Sequence, residues 1–277
     1  MITIKYRKAF ITLLWALLLA LSAAGTGVAQ EASLPFAVGE TLTFTLYWTV
    51  IPAGEAEITV LPDTVVNGIP ARHFLMTVRT NSFIDNFYKV RDRVEAFTDL
   101  PMTRSLLYYK EQHEGSSHHK VRVDFDWENN LAIFNEDGKV AKKTEIVPGT
   151  FDVLALFYRF RMEELSVGKV IELPVTDGSK ALMGRGKVEK KETVEVPAGK
   201  FPAFMITPEL THMGGVFQNS KGKLSLWFAD DSRRTVVKVQ GSVSVGSFHA
   251  KLTKISGPAP VVTARAEPED VSRSAGQ

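Results

Sequence analysis

The stretch Thr41–Val60, TLTFTLYWTVIPAGEAEITV, decides the fold. Leu42, Phe44, Leu46 and Trp48 alternate with Thr41, Thr43, Thr45 and Thr49, so an extended chain places the apolar set on one face and the threonines on the other. Ile51-Pro-Ala-Gly54 reads as a turn, after which Ala56, Ile58 and Val60 alternate with Glu55, Glu57 and Thr59. The result is a hairpin with one apolar and one wet face.

The same two-residue period returns along the chain. It marks strands at Ala71–Thr80, Val90–Phe97, Thr103–Gln112, His119–Trp127, Leu131–Phe134 and Val140–Ile146, and again at Val170–Val175, Gly186–Val196, Ala203–Pro208, Lys223–Ala229, Thr235–Val245 and Phe248–Ile255. Asn67-Gly68, Asp137-Gly138 and Asp177-Gly178 supply turns between them, and Gly214-Gly215 marks a mobile loop. Only Thr150–Glu164 departs from the pattern. There Val153, Leu154, Phe157, Phe160 and Arg161 recur at three- and four-residue spacing, with Thr150 placed as N-cap and Asp152 in the first turn. About a dozen strands and one helix imply an all-β protein. The expected architecture is an antiparallel many-stranded barrel or strongly curved sheet, with the short helix at about 150–164 packed at an edge or end.

Of the 277 residues, the two ends read as non-globular. Lys5, Arg7 and Lys8 precede an apolar run from Ala9 to about Ala24, and Gly27-Val28-Ala29 offers small residues for signal peptidase, so 1–29 reads as a removed export signal. The run falls short of the roughly 20 residues that span a bilayer, and no later stretch approaches that length. Gly257–Gln277 mixes Pro, Ala, Ser and charge without an apolar period and reads as a disordered tail. A single domain over 30–256 remains, expected in the periplasm.

Removing the three N-terminal cations from the 33 basic residues leaves 30 against 31 acidic ones, a near balance that argues against nucleic-acid binding. The chain has no cysteine, which excludes disulfides, thiolate metal sites and thiol catalysis. No nucleophile elbow, phosphate loop or dinucleotide fingerprint occurs. His113, His118 and His119 beside Glu114 match no metal-ligand spacing and read as a solvated hairpin tip. Catalytic residues, metal ligands and cofactors are therefore not expected.

Asp92 falls among the inward residues of VRDRVEAF, where a carboxylate needs a partner; Arg161 on the helix is the expected one. The aromatics Phe44, Trp48, Phe83, Phe87, Tyr88, Phe157, Tyr158 and Trp227 read mainly as core. A barrel of more than eight strands encloses more space than its side chains readily fill, so part of that lining is a candidate surface for an apolar ligand. The candidate ligand-binding residues are Trp48, Tyr88, Asp92, Tyr158, Arg161 and Trp227.

Several short words, in order, carry a family resemblance: Phe36-Ala-Val-Gly-Glu40, Tyr47-Trp48 with Ile51-Pro-Ala-Gly54, Tyr88-Lys-Val-Arg-Asp92, Asp152 with Tyr158-Arg-Phe-Arg161, Pro197-Ala-Gly-Lys200-Phe201, and Leu226-Trp227-Phe228 with Asp231 to Arg234. Over about Leu34–Ile255 the chain resembles the exported bacterial family known as domain of unknown function 3108. The resemblance implies an exported, mainly antiparallel, barrel-like protein and transfers no catalytic residue. Two functions fit these observations. One is a periplasmic, non-catalytic module that binds an apolar or amphipathic, lipid-like molecule of the cell envelope. The other is a scaffold that contacts an envelope protein partner without a small ligand.

Overall fold

The computed structural model describes residues 34–209, 224–242 and 247–259. The expected export signal, the Gly214-Gly215 loop and nearly all of the expected tail lie outside the described residues. Among the described residues there are fifteen strands: β1 (Thr41–Trp48), β2 (Ile51–Val66), β3 (Ile69–Thr80), β4 (Arg91–Asp99), β5 (Ser105–Glu114), β6 (Ser117–Asp126), β7 (Leu131–Glu136), β8 (Lys139–Glu145), β9 (Phe151–Asp152), β10 (Val170–Thr176), β11 (Ala181–Val196), β12 (Gly199–Glu209), β13 (Ser225–Ala229), β14 (Val236–Ser242) and β15 (Ser247–Ser256). A single turn of helix, α1 (Ser82–Asp85), precedes β4, and α2 (Val153–Arg161) follows β9.

All fifteen strands belong to one sheet in the order β8-β7-β6-β5-β4-β3-β2-β1-β15-β14-β13-β12-β11-β10-β9. Every neighbouring pair is antiparallel except β9 with β10. Two meanders of successive hairpins thus meet where the first strand pairs with the last, Thr41 opposite Ser256 and Trp48 opposite Phe248.

The first hairpin turns earlier than its sequence suggests. Residues Ile51–Gly54 already belong to β2, and the reversal falls at Thr49-Val50, with Thr49 at φ 57°. The role of Gly54 is contact, not turning: a Cβ there would lie 2.2 Å from the Arg79 carbonyl oxygen of β3. Only glycine lets these two backbones approach so closely.

The expected helix is also shorter than its apolar pattern. Asp152, not Thr150, is the N-cap, its carboxylate accepting from the amides of Leu154 and Ala155. Thr150 is spent instead on its own turn, bonding the Val147 carbonyl through hydroxyl and amide. At the other end Met162 and Glu163 donate to carbonyls three residues back, which tightens and closes the last turn.

The sheet wraps around α2. Tyr158 stacks on Phe74 of β3 at 4.1 Å between ring centroids, while Phe160 approaches Phe228 of β13 at 5.0 Å. In the sheet β2, β1, β15 and β14 lie between those two strands, so reaching both requires strong curvature. Leu154, Ala155 and Tyr158 share one core with Leu42, Phe44, Leu46, Ala56, Ile58, Val60, Val94, Ala96, Val121 and Val123. The interior expected to hold a guest is therefore packed by the chain's own helix and apolar strand faces.

The terminal strands β8 and β9 do not pair with each other, yet the two flanks of the sheet touch. Ser105 of β5 donates its amide to the Thr150 carbonyl and its hydroxyl to the Asp152 carboxylate (2.6 Å), and accepts from the Asp152 amide (2.9 Å). On the other side Thr144 of β8 donates to the Gly178 carbonyl in the β10–β11 turn (2.8 Å).

Candidate functional site

One end of the sheet gathers the β1–β2 turn, the β3–β4 connection and the β5–β6 turn, because the strands between them run antiparallel with matched ends. The β3–β4 connection is fixed by its polar groups. Asn81 accepts from the Ile84 amide, donates its side-chain amide to the Pro52 carbonyl (2.6 Å), and bonds Ala53 through its backbone. The Asp85 carboxylate receives Thr80 Oγ1 and both Nη atoms of Arg91. These donors, Arg91 foremost, hold the Asp85 carboxyl below its usual range.

With the polar groups turned inward upon each other, the apolar ones face water. Phe83 is 59% exposed, Phe87 76% and Tyr88 51%; the β1–β2 turn adds Trp48 at 49%, Val50 at 81% and Ile51 at 45%. Phe83 and Phe87 meet edge to face at 5.6 Å. Of the aromatics read as core, Trp48, Phe83, Phe87 and Tyr88 are instead a rim of exposed apolar side chains. Isolated exposed apolar residues are ordinary; here six stand at one end of the fold.

Directly beneath Tyr88 lies a small polar layer. The Tyr88 hydroxyl donates to Glu114 at 3.4 Å and its ring lies against Gly115. Glu114 also accepts from Gln112 Nε2 at 2.9 Å. Asp92 does turn inward as its place in the strand requires, but it does not meet Arg161. Its carboxylate accepts the His113 amide at 3.0 Å, where the regular β4–β5 ladder stops at Arg93 opposite Glu111. Asp92 thus replaces a missing ladder acceptor. Burial raises its pKa, the His113 amide opposes that rise, and nearby Glu114 adds to it.

Arg161 finds another carboxylate. It donates to both oxygens of Glu40, to the Pro35 carbonyl (2.9 Å) and to the Arg233 carbonyl (3.0 Å), and its guanidinium sits 5.4 Å from the Phe36 ring centroid and 5.5 Å from that of Tyr158. Arg161, Glu40 and Tyr158 are all fully buried. This node ties the segment before β1, α2 and the β13–β14 turn together and leaves the guanidinium no open side. Trp227 lies elsewhere, on the β13 face opposite Phe228, with its indole Nε1 donating to Glu192 (2.8 Å). The structure therefore joins Tyr88 with Asp92, and Tyr158 with Arg161, places Trp48 at the rim, and buries Trp227 in the apolar core.

His113 and His118 stack at 4.5 Å across the β5–β6 pair, while His119 approaches Glu136 and Asp137. No group of three or more possible metal ligands converges among the described residues. Two open clefts also mark the surface. One of about 620 Å³ is lined by Asp99, Thr103, Arg104 and Trp127, the other of about 310 Å³ by Glu164, Phe204, Asp230, Asp231 and Arg234. Asp99 is engaged by Thr103 and Arg104, and Asp231 by the amides of Arg233 and Arg234. Of the other charged groups lining the clefts, Arg104 lies over the Trp127 ring, Asp230 pairs with Lys191, and Arg234 donates to the Arg161 carbonyl.

A family model described as "Protein of unknown function (DUF3108)" matches residues 43–253. No curated protein matches the chain. Among solved structures it is similar to a β-barrel-like protein of the domain of unknown function DUF1849 from Brucella abortus, with TM-score 0.50 and 11% identity over 79% of this chain and 97% of that one. It is also similar to a protein from Bacteroides fragilis provisionally described as exported and as having a YmcC-like fold, with TM-score 0.33 and 12% identity over 81% of this chain and 99% of that one. A third, from Parabacteroides distasonis and provisionally described as a lipoprotein, has TM-score 0.33 and 8% identity over 82% and 100%. At 11% identity the likeness to the first of these is one of fold alone.

Proposed function

This chain belongs to the DUF3108 family, and we propose that it is an exported, periplasmic, non-catalytic protein that engages an apolar or amphipathic envelope molecule through its rim. The reading rests on the exposed set Trp48, Val50, Ile51, Phe83, Phe87 and Tyr88. Export rests on the basic, apolar and small-residue order of positions 1–29.

Two features favour a lipid-like molecule. The rim combines Trp and Tyr, whose rings suit a boundary between oil and water, with Phe, Val and Ile that suit acyl chains. Its supporting loop is also held in place by internal hydrogen bonds, so little order has to be created on contact. Because the concave side is occupied by α2 and its neighbours, the molecule is met at the rim and not swallowed. No helix among the described residues is long and apolar enough to cross a membrane.

Flotation of the mature protein with phosphatidylcholine vesicles tests the reading. Co-flotation that is lost on replacing Phe83 and Phe87 by serine supports it. Wild-type protein that stays at the bottom of the gradient removes it and leaves an envelope protein as the rim's partner.

A further inference from the structure

A second cluster of charged and aromatic side chains, half-buried around the buried Trp227, lies on β1, β15, β14, β13 and β11. Strand register sets Lys238 of β14 directly opposite Lys251 of β15, with Trp227 opposite Lys238 on the far side. The Lys238 ammonium lies 4.4 Å from the centroid of Trp227, and the Lys251 ammonium 5.1 Å from that of Tyr47. His249, across from Tyr47 and Gln240, completes the same face. Its Nε2 is shared with the Ser247 hydroxyl at 2.8 Å, and its buried Nδ1 has no hydrogen-bond partner.

The carboxylates near this face are already paired: Glu55, one strand beyond the Thr45 that faces Lys251, is held by Arg79. Glu192 is likewise engaged by Lys190 (2.8 Å) and by the Trp227 indole. Among the described residues neither Lys238 nor Lys251 forms an ion pair. Like charges directly opposite on paired strands destabilise a sheet. Burial first, and the charge of Lys251 second, depress the pKa of Lys238. Burial and both lysines depress that of His249. Each ammonium rests on an aromatic ring, so the two are held side by side. An anion between them removes the repulsion and finds its donors already in place.

We propose that this face binds a phosphate-type anion between Lys238 and Lys251, with Lys190 at its border. The site is separate from the rim and does not depend on it. Two sources carry this chemistry, free phosphate and the phosphodiester head group of an anionic lipid.

Calorimetry with inorganic phosphate and sedimentation with phosphatidylcholine vesicles, with and without phosphatidylglycerol, test the site on the mature protein, Lys238→Gln and Lys251→Gln. Each variant is expected to weaken the phosphate response, or the phosphatidylglycerol-dependent part of vesicle binding, about tenfold. Its melting temperature without phosphate should equal or exceed that of the wild type, because a repulsion has been removed. A response to inorganic phosphate identifies a free anion as a ligand, and a response to phosphatidylglycerol alone identifies the head group. No response to either, an undiminished response in both variants, or a lower melting temperature in both without phosphate overturns the proposal. Binding to purely zwitterionic vesicles reports on the rim, so the two readings fail separately.

Discussion

Arg161 and Glu40 face each other across a fully buried contact in which both carboxylate oxygens accept from the guanidinium, at 2.5 and 3.1 Å, and neither side chain reaches solvent. The carbonyls of Pro35 and Arg233 take two more of the arginine's N–H groups. Removing one partner strands a charge in the core, which typically costs about 3–5 kcal/mol. Glu40→Ala should therefore lower the urea midpoint by that equivalent. Replacing both residues by methionine should recover a large part of the loss, and a double-mutant cycle measures the coupling.

Asp152 predicts a pH dependence of stability. Its carboxyl is fully buried, and desolvation outweighs the amides of Ala155 and Leu154 and the Ser105 hydroxyl, raising its pKa from 3.8 to about 6. The folded state thus holds the proton more tightly than the unfolded one. The group's stabilising contribution is complete below the unfolded value near pH 4 and is lost as pH rises through about 6. Relative to Asp152→Asn, which keeps a capping oxygen but does not titrate, the wild type should lose up to ~3 kcal/mol between pH 4 and pH 7. Urea unfolding at the two pH values checks the sign.

Gly178 should be far less replaceable than the turn glycine Gly138. It has φ +89°, and an added Cβ would lie 2.4 Å from Val123 Cγ2 and 2.9 Å from the Phe134 ring. Gly178→Ala combines a left-handed backbone with overpacking between the two flanks of the sheet, a loss of roughly 2–4 kcal/mol. Gly138 has φ +82° and no atom within 4 Å of a new Cβ. Gly138→Ala should cost only the backbone component, about 1–2 kcal/mol. Melting curves of the pair separate the two effects.

The rim residues should behave as binding groups and not as core. Because Phe83 and Phe87 are mostly exposed, serine at either position should leave stability within about 0.5 kcal/mol of wild type. Each phenylalanine that enters an apolar phase is worth about 1.5–3 kcal/mol. Vesicle partitioning should accordingly fall by at least tenfold for each substitution.

The period-two pattern of Thr41–Val60 was sufficient to read its two strands, though not where they turn, and Asn67-Gly68, Asp137-Gly138 and Asp177-Gly178 all lie between strands. What escaped the pattern were effects of distant chain. Gly54 looks like a turn residue until the Arg79 carbonyl is seen beside it. The partner of Arg161 is 121 residues away, in a segment with little periodicity of its own. Phe83 and Phe87 read as core because aromatic side chains usually are, and only the tethering of Asn81 and Asp85 explains why this connection points its rings outward. That Asp92 faces inward was legible from its place in the strand; that it answers a backbone amide was not.

The pairing of β1 with β15 puts the last of the described strands in the middle of the sheet. Until Ser247–Ser256 arrives, the opening strand and β14 each keep an unsatisfied edge, and the two meanders are separate ribbons awaiting a zipper. A protein cut short by a dozen residues before Gly257 would lose this central seam and carry two adhesive borders in place of one joint. A chain cut anywhere ahead of β15 therefore lacks the joint between its two halves and is marked for aggregation or proteolysis.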